Sequence, residues 1–250
     1  MTKKVVNISL LKEELGKKNS FTRKELLDFY KKFEPDLNEG TFGWRIYDLK
    51  QEGVIRDVKK GVYSFSQTHS YLPPVEEGLE KIYREITAKY PYLNLCVWNT
   101  RWLNDFMIHQ AGRFIWFVEV EPEAAESIFY FLRDNGYPNT YLQPDEKIMS
   151  QYVYQETETI IVKSLVSKSP LQKSNNIAIP RLEKILVDLF CEEIQLGSFR
   201  GEMENIFKGV YEQFDINFSV LLTYANRRGK KKELIEYMKK NAIAPENLFT

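Results

Sequence analysis

The chain has 250 residues, a formal charge of zero, 43% hydrophobic and 14% aromatic residues. That is too apolar for a disordered protein, and overall charge gives no sign of a polyanionic partner. No run reaches the roughly 18 apolar residues of a membrane-spanning helix. Charges interrupt the N-terminal MTKKVVNISLLKEEL too early for a signal peptide. Cys96 and Cys191 sit in the apolar runs LNLCVW and LVDLFCEE, as buried free thiols of a reducing cytoplasm do. A soluble cytoplasmic protein without membrane contact is expected. Charge is unevenly spread: residues 1–67 hold 14 Lys and Arg against 10 Asp and Glu, an excess of +4 that the remainder balances. If any segment meets phosphate, it is the first.

Residues 6–17 place Ile8, Leu11 and Leu15 at helical spacing, and Asn19-Ser20 breaks that helix. FTRKELLDFYKKF begins a second. Thr22 and Glu25 have capping-box spacing, Phe21 can staple onto Leu26, and Leu26, Leu27, Tyr30 and Phe33 supply an apolar face. Pro35-Asp36 ends this helix, and Asn38 caps a third.

On the third helix Phe42, Ile46, Leu49 and Gly53 point within about 40° of one direction, the core side. Trp44, Tyr47 and Gln51 point the opposite way, with Arg45 and Asp48 on a flank. An aromatic pair on a solvent face suggests a contact surface. Gly53 suits a helix end. VIRDV and VYSF then read as strands joined across Lys59-Lys60-Gly61.

Helix, helix, helix, hairpin over residues 1–66 is the order of a winged helix-turn-helix, whose third helix enters the major groove. The predicted DNA-contacting residues are Thr22, Arg23, Thr41, Gly43, Trp44, Arg45 and Lys50, with Arg56, Lys59 and Lys60 on the wing. Two plainer readings stand beside this one. Winged helices also dock proteins, with Trp44 free to pack on a second domain, and a Lys-Lys-Gly turn is often only a solvated tip.

SQTHSYLPP reads as a linker, assigned to 67–74, before a larger domain over 75–250. VEEGLEKIYREITAKY is helical, LNLCVW and RFIWFVEVE are strands, EAAESIFYFLRD is a helix ending at Asn135-Gly136, and TYLQ and TIIVKSLV are strands. The whole is expected to be α+β: an N-terminal winged helix, a mixed α/β sheet over 75–166, and a mainly helical end over 177–250. SKSPLQKSNN reads as a polar loop. Pro180 opens a helix in which Leu182, Ile185, Leu186, Leu189 and Phe190 form an apolar stripe, and three further helical stretches follow.

The same residues offer little enzyme chemistry. His69 and His109 lie in unlike surroundings, which disfavours a metal site, and neither GxxxxGK[ST] nor GxGxxG occurs. LGS at 196–198 lacks the acidic pair that a nucleotidyltransferase needs, so it reads as a turn. For a nuclease, Glu119 and Glu121 end one strand and Asp145, Glu146 and Lys147 follow another, but no acid stands two residues before Lys163. His109 beside Arg113 reads as a functional loop pair or a hydrogen-bonded structural histidine, the latter favoured. Arg227, Arg228, Lys230, Lys231 and Lys232 form a basic run that extends a nucleic-acid track or is solvated surface. No catalytic residue, metal or cofactor is expected.

SFTRKELLDFY, TFGWRIYDLKQEGVI and GVYSF, with IPRLEKILVDLF and NFSVLLTYANRRG near the other end, make the sequence similar to the antitoxin component of AbiE-type (type IV) toxin–antitoxin systems. Pro180, Glu183, Lys184, Leu186, Asp188 and Leu189 stand at the positions of the xPxxEKxLvDL helix recurrent in that family. The resemblance implies a winged-helix autorepressor that binds double-stranded DNA at its own promoter, and for a winged-helix repressor an inverted repeat is expected. It also implies a toxin-antitoxin or phage-defence operon and a nucleotidyltransferase toxin neutralised by the second domain. Residues 75–165 resemble only bacterial chains of unknown function with the same architecture, and nothing in the sequence sets the oligomeric state.

Overall fold

The computed structural model of the protein describes residues 8–18, 20–52, 54–65 and 71–244. The expected break at Asn19, the cap at Gly53, His69 and the 66–70 stretch of the linker lie outside the described residues.

The chain begins α1 (Ile8–Leu15), β1 (Phe21–Thr22), α2 (Arg23–Lys31), α3 (Glu39–Gln51), β2 (Ile55–Lys59), β3 (Val62–Phe65). A capping box starts α2: the Thr22 hydroxyl accepts from the Glu25 N–H at 3.2 Å, and the Glu25 carboxylate accepts from the Thr22 N–H at 2.7 Å. The Asn38 side chain caps α3 by accepting from the Thr41 N–H at 2.8 Å. Phe42, Ile46 and Leu49 are buried with Leu11, Leu26, Phe29 and Tyr30, as the helical phase requires. Phe29 takes the inward place expected of Phe33. Because α2 ends at Lys31, Phe33 falls beyond the last turn and is half exposed.

β1 pairs antiparallel with β3, and β3 with β2, giving the order β1-β3-β2. Gly61 turns the hairpin at φ +75°, where a side chain would be strained.

The remainder is mixed α/β and ends in helices. It runs α4 (Glu77–Lys89), β4 (Leu95–Asn99), β5 (Phe114–Val120), α5 (Ala125–Asp134), β6 (Thr140–Leu142), α6 (Glu146–Gln151), β7 (Glu158–Ser164), β8 (Leu171–Ser174), β9 (Ile177–Pro180), α7 (Leu182–Cys191), α8 (Met203–Gln213), α9 (Phe218–Arg227), α10 (Lys231–Lys240). The main sheet has the order β4-β5-β7-β6, antiparallel between β4 and β5 and parallel from β5 through β7 to β6. β5 is a near-continuous apolar run and β7 carries Ile160, Ile161 and Val162 at its centre, both strands being buried almost throughout. No helix among the described residues is long and apolar enough to cross a membrane.

The stretch expected to be a polar loop instead forms the β8–β9 hairpin, Leu171 opposite Pro180 and Ser174 opposite Ile177. Asn175 and Asn176 turn it at φ 49° and 66°, a left-handed conformation that asparagine tolerates better than most side chains. Pro180 therefore ends a strand, and Arg181 is the residue from which α7 starts.

Apolar side chains gather in two clusters. A small one holds α1, α2, α3 and the sheet residues Phe21, Ile55 and Tyr63, and a large one surrounds the main sheet. Val58 and Val62 of the first hairpin belong to the large one. The hairpin is thus packed from both sides.

Candidate nucleic-acid interface

The outward side of α3 carries Thr41, Trp44, Tyr47 and Asp48, all exposed. Among the described residues Trp44 joins neither apolar cluster. It is 70% exposed, with its ring edge-on to Tyr47 at 5.8 Å. Gly43 stands beside it, and a Cβ there would meet nothing within 4 Å. Thr22 is exposed but engaged in its capping box.

Arg23 follows it, lying over the Phe42 ring and pairing with Glu39 at 2.5 Å. Its N–H donates to the Gly61 carbonyl at 2.8 Å. The start of α2, the start of α3 and the hairpin turn therefore share one edge. Lys60 is exposed at that turn, and Lys59 is half buried.

Three other predicted contacts are turned inward. Arg45 pairs with Glu34 at 2.7 Å and lies over the Tyr30 ring. Lys50 reaches both Asp57 oxygens at 2.6 Å and lies over Tyr63. Arg56 corrects the expectation of a wing cation most clearly. It pairs with Asp215 at 2.5 Å and donates to the Ile216 carbonyl at 2.8 Å, both between α8 and α9. Burial pushes its pKa down, against the pull of Asp215. The partners Glu34 and Asp215 were missed because nothing local in the sequence joins them to these arginines.

The basic run at the far end is divided in the same way. Arg227 donates to Ser167 at 3.0 Å, and Arg228 turns inward to Asp188 and Glu192 at 2.5 and 2.7 Å. Lys231 and Lys232 remain on the surface. LGS at 196–198 opens a short 3-10 turn leading into α8, as expected.

Residues 41–244 match a family described as a family of unknown function, DUF6577. The chain belongs to DUF6577. No curated protein matches it. The DUF6577 match takes in nearly all of α3, the β2–β3 hairpin and the larger domain together. That span agrees with the shared packing of Val58 and Val62.

At the centre of the DUF6577 region lies a buried ionic cluster that the sequence reading did not anticipate. Lys184, fully buried, reaches Glu119 at 2.7 Å and Asp188 at 2.5 Å. Glu119 also accepts from the Trp98 indole at 2.7 Å, and Asp188 from the Tyr224 hydroxyl at 2.9 Å. Lys163 pairs with Glu192 at 3.1 Å, and Arg228 closes the circuit. Three cations face three carboxylates, so the cluster is neutral.

Burial works against the Lys184 charge, yet Asp188 and Glu119 hold its pKa well above the usual lysine range. Of the acids considered for a nuclease, Glu119 is buried in the cluster and Glu121 accepts from Asn94. Glu183 of the same helix also turns inward, binding Arg181 and the Asn217 N–H. Glu183, Lys184 and Asp188 therefore fasten α7 to the sheet and to the α9 region. The available signal was that α7 is apolar on nearly every side, which marks a helix buried all round.

Proposed function

We propose that this DUF6577 protein is a DNA-binding transcriptional regulator whose N-terminal segment, residues 1–66, is a winged helix-turn-helix joined to a partner-binding domain. The observation that carries the reading is the pairing of β1, which lies between α1 and α2, with β3 of the hairpin that follows α3. That order leaves one side of α3 in the core and the other open. To the side that meets a groove in winged helices we assign Thr22, Arg23, Thr41, Gly43, Trp44 and Lys60. The Arg23–Glu39 pair is largely exposed, so exchanging Glu39 for a phosphate costs about 0–1 kcal/mol.

The likeness to AbiE-type antitoxins supports the protein's own promoter as the DNA and a nucleotidyltransferase toxin as partner of residues 75–250. Fluorescence anisotropy with promoter DNA tests the regulator. Affinity should fall steeply between about 50 and about 200 mM salt, and an Arg23→Ala/Lys60→Ala variant should lose about 2 from the logarithmic salt slope. Unchanged affinity and slope in that variant would remove this surface from consideration.

A second reading, a winged helix that docks a protein, is favoured by one observation. The exposed Trp44–Tyr47 pair is bordered by the exposed carboxylates Glu39 and Asp48, while Arg45 is neutralised by Glu34. A wild-type protein without salt-dependent promoter binding, whose association with a co-expressed operon partner is lost in Trp44→Ala, would select it.

A further inference from the structure

A cleft of about 730 Å³ opens where β5 and β7 begin, within the size range of small-molecule sites. Its walls are mainly apolar, from Met107, Phe114, Ile115, Val153, Tyr154 and Phe199. The loop at its mouth is held by its own hydrogen bonds. Glu202 accepts from the Ile108 N–H at 2.9 Å, the His109 N–H at 3.3 Å and His109 Nδ1 at 2.7 Å. Asn104 exchanges two bonds with Ala111, at 3.0 and 3.1 Å. A wall fixed in advance spares a ligand the cost of ordering it.

The charges of the mouth are unequal. Hydrogen bonds from Asn205, His109 and the Ile108 N–H hold the Glu202 carboxyl down to about 2, so that anion is satisfied within the protein. Arg113, exposed at the same mouth, has no ion-pair partner among the described residues. An apolar cavity bearing one unanswered guanidinium fits a ligand with an apolar body and an anionic end.

We propose that this cleft binds a small amphipathic carboxylate, aryl or medium-chain acyl. The apolar body lies between the Phe114 and Phe199 walls, and the carboxylate sits on Arg113 in the forked geometry that guanidinium favours.

The full-length protein is titrated calorimetrically with 4-phenylbutyrate and, separately, with 4-phenylbutanol. The carboxylate binds, the alcohol binds about tenfold more weakly or not measurably, and Arg113→Ala weakens the carboxylate by about tenfold. Gly201 lines the cleft, and a Cβ there meets nothing within 4 Å. Gly201→Leu therefore fills the space and abolishes binding with an unchanged circular dichroism spectrum. Three results would each overturn the proposal: no carboxylate binding by the wild type at millimolar concentration, equal affinity for alcohol and carboxylate, or wild-type binding in both variants. None of these readouts depends on DNA.

Discussion

Arg56 on β2 and Asp215, between α8 and α9, form an ion pair of 2.5 Å with both side chains about four-fifths buried. With Val58 and Val62 in the larger core, this pair fixes the hairpin to the second domain. Arg56→Ala and Asp215→Ala are each expected to lower unfolding free energy by about 1–3 kcal/mol, since each leaves a partly desolvated charge without its partner. The double variant should cost less than the sum by at least about 0.5 kcal/mol. Urea denaturation of the four proteins measures the coupling, and strict additivity would mean that the contact adds nothing.

The ionic cluster predicts a steeper loss. Lys184→Met removes the cation shared by Glu119 and Asp188 and leaves both carboxylates buried, at a cost of about 3–5 kcal/mol. Lys60→Met, at an exposed site, should change stability by no more than about 0.5 kcal/mol. Thermal denaturation compares the two, and similar melting temperatures would contradict the role given to Lys184.

Stability should fall on both sides of neutrality. The Lys18 ammonium and the Thr22 N–H hold Glu25 down to about 2. Burial disfavours the charged forms of Asp188 and Glu192, but Lys184, Lys163 and Arg228 outweigh it at Asp188, and Lys163 and Arg228 at Glu192, so both are lowered. A lowered carboxyl pKa contributes stability that is present above the unfolded value, near 4, and lost as pH falls below it. Lys184 is raised, and burial beside Asp188 raises Tyr224. Their contribution is present below the unfolded values, about 10, and lost as pH climbs past them. Scanning calorimetry should show a plateau from about pH 5 to about pH 9 with a decline at each end. A melting temperature still rising at pH 10 would contradict the alkaline limb.

Two glycines offer a test with opposite signs. A Cβ on Gly78 in α4 would stand 2.4 Å from the Trp116 ring, so Gly78→Ala forces repacking and costs about 1–3 kcal/mol. Gly43 in α3 has open space and no positive φ, so Gly43→Ala should stabilise by about 0.4–1 kcal/mol. Chemical denaturation of both variants checks the signs. If Gly43→Ala also weakens promoter binding, its gain in stability shows that the loss arises at the surface.

Local signals in the sequence carried the N-terminal elements well. The capping box at Thr22, the cap at Asn38 and the inward phase of Phe42, Ile46 and Leu49 depend on neighbours within a few residues. Phe33 misled because helical spacing was extended past the end of α2. The β8–β9 hairpin was hidden by its polar strands, although Asn175-Asn176 was a turn signal in plain view. The exchange of Arg56 from wing contact to tether was not legible at all, since Ile216 and Asp215 lie some 160 positions away. Charge alone does not say whether a side chain meets solvent, phosphate or a carboxylate of the same fold.

β2 is one of the two outer strands of the small sheet, and α9 lies against it. Severed near residue 66, the N-terminal fragment would leave Val58 and Val62 uncovered, an apolar patch through which identical copies can associate. The larger domain therefore acts as a permanent shield against self-association. A soluble excised fragment would need polar replacements at those two valines.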